Sequence, residues 1–216
     1  RYGEDNSITT IVCDNGTDEY NDASIEIKNF VATEDDKKTE TSDEVPEYLS
    51  TYVAPTELGT DPLSYNIEIE NQVYTLPAPV SAFTDNGWKI ASQEDSVPSG
   101  QSLSYAIKLQ KDGKEIEASV TNFADYQTKP ENCAISSLHF YAYESKNPEV
   151  KLPGGITIKS TSDDLKKWAG DKFDYSKSGD SEYYDYYDDD NEGSIYINCK
   201  KTVSSMSVKK ETWPSK

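Results

Sequence analysis

The feature that most constrains this chain is Lys111-Asp112-Gly113-Lys114, an Asp-Gly pair set between two alternating stretches. Tyr105, Ile107 and Leu109 alternate with polar residues before it, and Ile116, Ala118 and Val120 do so after it. Asp-Gly tolerates the left-handed backbone of a type I′ turn, whose twist matches that of paired strands. The middle of the chain is therefore committed to antiparallel sheet with one face toward a core. Residues 182–187 and 194–199 read the same way around Asp190-Asn191-Glu192-Gly193. Further strands are expected at 134–143 and 203–210.

A second regularity is the Leu-Pro pair. Val73-Tyr74-Thr75-Leu76-Pro77 and Val150-Lys151-Leu152-Pro153 are extended pieces whose Leu-Pro pairs stand 76 residues apart. A short helix is expected after each. In the first, Pro79 suits the first helical position and Asn86-Gly87 supplies a left-handed stop before Trp88. In the second, Ser160, Thr161 or Ser162 caps, Asp163 and Asp164 favour the first-turn dipole, Leu165 and Trp168 share a face, and Gly170 ends the helix. The shared order of landmarks predicts an internal duplication. The expected fold is α+β, in tandem small units, each a short helix packed on an antiparallel β-sheet, with an N-terminal β-hairpin. On this reading residues 1–32 are the hairpin, a truncated or partial unit. Residues 33–62 are an acidic, solvated linker, and 63–147 and 148–216 are the two units.

Tyr74-Thr75-Leu76-Pro77-Ala78-Pro79-Val80 followed by Asp85-Asn86-Gly87-Trp88 resembles exported proteins and lipoproteins of Gram-positive bacteria. So does Leu152-Pro153-Gly154-Gly155-Ile156-Thr157 followed by Ser162-Asp163-Asp164-Leu165 and Gly170. The second segment also resembles the helix-then-antiparallel-strands unit of the outer-membrane-assembly lipoprotein and β-lactamase-inhibitory-protein fold, with Lys159 in place of that unit's usual glycine. The resemblance implies a small helix on a sheet, an extracellular or envelope-anchored location, and no catalysis. It carries no functional residue across.

Charge narrows the partners. Forty Asp and Glu against 21 Lys and Arg give a net charge of −19. Such a surface repels phosphate backbones and anionic membranes, so nucleic acid is excluded as a partner. No run approaches the roughly 20 apolar residues of a spanning helix, and the chain opens without a basic and apolar leader, so an export signal is expected to be removed or upstream. Tyrosine carries much of the apolar load, 16 residues against five Phe. That usage suits half-buried sheet surfaces. The three cysteines, Cys13, Cys133 and Cys199, form no C-x-x-C pair, and all three pairings are open. At least one is expected to be a small buried hydrophobe.

Catalytic chemistry finds little support. His139 is the only histidine, so H-E-x-x-H and multi-histidine zinc sites are excluded, and the ring is expected to be packed or at a sheet edge. Cys133 lies on the same expected strand but about 20 Å from it. There is no G-x-S-x-G elbow, Gly-rich phosphate loop or G-x-G-x-x-G. Asp188-Asp189-Asp190-Asn191-Glu192-Gly193 superficially resembles the start of a calcium loop, but Cys199 stands where the bidentate Glu belongs, and a hairpin turn is the better account. The pattern at Tyr183-Tyr184-Asp185-Tyr186-Tyr187 places Tyr183, Asp185 and Tyr187 on one face and Tyr184 and Tyr186 on the other. One face is expected under the helix of Leu165 and Trp168, the other displayed. The expected function is a non-catalytic interaction module at the cell surface, with a protein or a glycan as partner and no cofactor or metal. Tyr184, Tyr186 and Trp213 are the candidate binding residues, stacking sugars in the carbohydrate-binding alternative.

Overall fold

The computed structural model describes residues 11–13, 23–25 and 40–214. The chain divides into two units, Arg1–Glu40 and Thr41–Lys216. In the first, β1 (Ile11–Cys13) and β2 (Ala23–Ile25) pair antiparallel with Ile11 opposite Ile25, at the place of the expected N-terminal hairpin. The rest of that hairpin and the linker residues 33–39 lie outside the described residues, as does the side chain of Cys13.

The second unit runs β3 (Asn66–Ile69), β4 (Gln72–Thr75), β5 (Ala78–Pro79), α1 (Val80–Thr84), β6 (Lys89–Gln93), β7 (Ser102–Lys111), β8 (Lys114–Thr121) and β9 (Ala134–Tyr141). It continues with β10 (Val150–Lys151), α2 (Ser162–Ala169), β11 (Asp174–Ser178), β12 (Ser181–Tyr187), β13 (Gly193–Cys199) and β14 (Val203–Lys210). The Asp-Gly hairpin forms where the alternation placed it. Asp112 and Gly113 take φ of 49° and 79°, and Lys111 faces Lys114. A second turn with both central residues left-handed, Glu70-Asn71, joins β3 to β4.

The tandem α+β architecture is not what forms. The molecule is mostly antiparallel β-sheet, dominated by one nine-stranded sheet in the order β11-β12-β13-β14-β9-β8-β7-β6, with β5 also on β9. The physical reason lies in the closing strands. Each would leave an open edge in a separate unit, and each alternates apolar residues with the same period. β9 and β14 therefore pair with each other, Phe140 opposite Met206 and Leu138 opposite Val208, and two sheets become one. No boundary falls near residue 147. The Leu-Pro landmarks also differ in surroundings. Leu76-Pro77 leads into β5 on the edge of β9, whereas Leu152 closes a tight Gly-rich turn by bridging to Ile156.

One face of the large sheet is covered by α1, α2 and a three-stranded sheet ordered β10-β3-β4. Ile67, Ile69, Tyr74, Phe83 and Leu165 share a single core with Ile107, Leu138, Phe140, Ile197 and Met206. Thr161 caps α2, accepting from the Asp164 N–H while the Asp164 carboxylate accepts from the Thr161 N–H at 2.8 Å. Leu165 is buried and Trp168 half-buried, its Nε1 donating to the Pro153 carbonyl at 2.7 Å. The expected linker is structured over its second half. Ser42 donates its N–H to the Gln127 carbonyl at 2.9 Å, and a 3-10 turn at Glu47–Thr51 buries Leu49.

Candidate functional site

The other face of the large sheet is built by parity. Along β13, Ile195, Ile197 and Cys199 point into the core, so Ser194, Tyr196 and Asn198 point away from it. Register carries that division across the sheet. Ser207 faces His139 on one side and Tyr196 on the other, and Tyr196 faces Asp185. Ser205 likewise lies between Tyr141 and Asn198, and Asn198 faces Tyr183. The centre of this open face is thus a floor of small serines on β14 between an aromatic row on β9 and another on β12–β13. Two strand spacings separate the rows, about 10 Å.

The rings hold one another. His139 stacks on Tyr141 with centroids 4.2 Å apart, Tyr141 on Tyr143 at 5.2 Å, and Tyr183 packs against Tyr196 at 6.3 Å. Tyr141, Tyr183 and Tyr196 are half-buried, while Tyr143 and Tyr187 are 79% and 59% exposed. Beyond β9 the face opens into a shallow depression of about 570 Å³ lined by Tyr105, Glu117, His139, Tyr141, Tyr143 and Lys146.

Two polar groups on this face are shut off from solvent without a hydrogen-bond partner among the described residues, His139 Nε2 and Asp185 Oδ1. Burial lowers the His139 pKa, which keeps the ring neutral near neutral pH. Burial raises the Asp185 carboxyl, and the charge of Asp174 raises it further.

The three expected binding residues are not brought together here. Tyr184 points into the core, 2% exposed, its hydroxyl donating to Glu182 at 3.1 Å. Tyr186 is half-buried on the same inward side, near Phe173. The displayed set is Tyr183, Asp185 and Tyr187. The reason is the pairing itself: Tyr184 and Tyr186 sit opposite Ile197 and Ile195 and must share their direction. Trp213 packs with Tyr48, Tyr52 and Phe123, its Nε1 donating to Thr51 at 3.1 Å, and borders a separate recess of about 300 Å³ with Val53 and Pro77.

The loop that resembled a calcium site is a structural turn. The Asp188 carboxylate accepts from Gly193 N–H at 2.9 Å, from Lys210 Nζ at 2.6 Å and from the Tyr65 hydroxyl at 3.3 Å. Burial alone would raise the Asp188 carboxyl, but Lys210 and the Gly193 N–H hold it below its ordinary range. Among the described residues no group of three or more His, Cys, Asp or Glu converges as a metal site. Cys133 and Cys199 are buried free thiols, and burial pushes Cys133 up to about 12, far from a reactive thiolate.

Sequence reasoning missed Tyr141, Tyr143, Asp185 and Tyr196. The available signal was the cleaner alternation of β13, from which the inward side of β12 follows by counting across the turn. Fold and surface together define a class: an antiparallel sheet protein with one face packed under helices and the other an open field of aromatic and small side chains. No family model matches the chain, and neither a curated protein nor a solved structure is detectably similar to it.

Proposed function

We propose that this protein is a non-catalytic binding module, acting outside the cell, whose open sheet face over β9, β14, β13 and β12 contacts another protein. The observation that carries the reading is the two rows of tyrosines on that face, Tyr143-Tyr141 on one side of the serine floor and Tyr196-Tyr183 on the other. Tyrosine and serine are cheap to strip of water relative to charges, and rigid rings lose little conformational entropy on contact. No helix among the described residues is long and apolar enough to cross a membrane. The high negative charge agrees with a protein that must stay dispersed at an exposed surface.

The test is site-directed photo-crosslinking in the protein's own extracellular milieu. A benzophenone side chain at position 143 or 187 is expected to give a discrete protein adduct that Tyr141→Ser and Tyr196→Ser abolish. The same group at Lys167, exposed on α2, is expected to give none. Equal adducts from both sides, or none from positions 143 and 187, would remove the face as the contact surface. Carbohydrate binding is the second reading, favoured by the stacked Tyr141–Tyr143 pair with its outer ring exposed. It would use these rings and not Tyr184 or Tyr186, and a glycan array on which Tyr143→Ala changes nothing would dispose of it.

A further inference from the structure

The open face contains a charge arrangement found at no other register pair among the described strands. Elsewhere in the described ladders an acid faces a lysine or a neutral residue: Lys108 meets Glu117 at 2.7 Å, Lys151 meets Glu68 at 2.6 Å, and Glu115 faces Gln110. Asp185 faces Asp174 instead. Its other neighbours on the face are Tyr196 opposite it, Tyr183 and Tyr187 along its own strand, and Ser176, Ser194 and Asn198 on the diagonals. None is basic. Like charges directly opposed across a strand pair are destabilising, and Asp185 Oδ1 is further shut away from water with no donor. Two carboxylates in this position are complementary to a cation that the protein does not itself supply.

The walls say which kind. The Tyr183 and Tyr196 rings stand 6.3 Å apart, tilted by 40°, beside the acids. A guanidinium is flat, weakly hydrated, stacks on aromatic faces and bonds carboxylates with a fork of donors. An ammonium is a compact, strongly hydrated point charge that uses such walls poorly. Calcium takes six to eight oxygens, more than two carboxylates and a hydroxyl-bearing rim offer.

We propose that the open face docks an arginine-bearing segment of a partner protein, with the guanidinium paired to Asp185 and Asp174 and laid against the rings of Tyr196 and Tyr183. This rests on the reading of the face as a protein-contact surface and names the chemistry of what it contacts. Binding replaces the repulsion between the two acids with charge-assisted contacts from the guanidinium.

The experiment uses the intact chain and a defined probe. Carboxyl and tyrosine-ring NMR signals are followed while the capped tripeptide Ser-Arg-Ser is added, then its citrulline and lysine counterparts, then calcium chloride. The expected result is a saturable shift at Asp185, Asp174, Tyr183 and Tyr196 with arginine. Binding is expected to be about tenfold weaker with citrulline, which keeps the shape without the charge, and several-fold weaker with lysine. Asp185→Asn and, separately, Asp174→Asn are expected to lose it, whereas Asp163→Asn on α2 keeps it. Either substitution relieves repulsion, so neither is expected to unfold the protein, and the unchanged ring signals of the core check this. Equal shifts with citrulline, shifts scattered over many surface acids, saturation by calcium, or retention in Asp185→Asn would each overturn the proposal. If crosslinking at positions 143 and 187 succeeds while the arginine probe fails, the contact face stands and the arginine site falls. If the crosslinks fail while the arginine response is specific, the guanidinium site stands and the wider protein-contact face falls.

Discussion

Replacing Tyr184 and Tyr183 by alanine, one at a time, tests the division of the sheet into a packed and an open face, on which the binding surface depends. The two residues are adjacent and chemically identical, so composition and propensity cancel between them. Tyr184 is 2% exposed, packs on Tyr175 at a centroid distance of 5.4 Å, and bonds Glu182 through its hydroxyl. Truncating a buried aromatic costs about 3–5 kcal/mol, from lost burial plus the cavity left behind. Tyr183 is half-buried on the open side, with one ring contact to Tyr196, and such a pair contributes about 0.5–1.5 kcal/mol. Tyr184→Ala should therefore be the more damaging by at least about 1.5 kcal/mol. Tyr184→Phe should fall between them, because it keeps the ring and deletes a hydrogen bond to a carboxylate, a loss of about 1.5–3 kcal/mol. Urea denaturation followed by circular dichroism gives all three values from midpoints, provided the slopes match that of the unsubstituted protein. If Tyr183→Ala is as destabilising as Tyr184→Ala, the parity is inverted and the open face is not the one described.

Two further outcomes follow from the same geometry. Gly193→Ala places a methyl where the Tyr65 hydroxyl and the Asp188 carboxylate stand, so a thermal melt should show destabilisation of about 1–3 kcal/mol from overpacking. A neutral result would mean that the 188–193 turn is not held by that contact. Glu182, buried beneath α2, has its carboxyl held below the ordinary glutamate range, first by the Ser162 hydroxyl and then by the Tyr184 hydroxyl and two lysines. A carboxyl depressed in the folded state contributes stability above the ordinary glutamate pKa and loses it as pH falls through the folded value. Urea midpoints measured downward from neutral pH should fall across the acid range, and Glu182→Gln should be less stable at neutral pH and show a shallower acid decline. An unchanged slope in Glu182→Gln would place the acid sensitivity elsewhere.

The local strands were legible because their signals are local. Alternation at 105–109 and 116–120 around Asp112-Gly113 specifies a hairpin without reference to anything distant, and the β7–β8 register agrees with it from Ile107 to Ala118. A bulge before Ile107 instead puts Tyr105 at φ 52° and leaves it exposed. The α2 helix was legible for a similar reason: cap, first-turn acids and terminal glycine all lie within ten residues of one another. What the sequence does not encode locally is which strand edges meet. β9 and β14 carry the same alternation, and nothing within either indicates that the other, more than sixty residues away, is its neighbour. That unread pairing turned two expected sheets into one. It also made the open face, since His139 and Tyr141 come from the first half of the large sheet and Tyr183 and Tyr196 from the second. The tyrosine run at 183–187 was ambiguous for a different reason: tyrosine fits either face of a sheet, so only pairing to the unambiguous Ile195 and Ile197 decides its direction.

The open face is not uniform, and the difference between its halves indicates where contact would centre. Over β7 and β8 it carries charges that already neutralise one another. Lys108 pairs with Glu117, and Glu115 accepts from Lys146 at 2.6 Å and from Gln110 at 2.9 Å. Stripping water from such pairs returns little, because their Coulomb energy is already realised and any new partner must compete with it. Over β9, β14, β13 and β12 the side chains are mainly tyrosine, serine and asparagine, with His139 and with Lys209 paired to Glu211, and one opposed acid pair is left unmatched. There, dehydration is cheap and one electrostatic demand is unmet. A partner that centres on β14 and reaches Asp185 would use both properties, leaving the ion pairs of β7 and β8 as a hydrated rim.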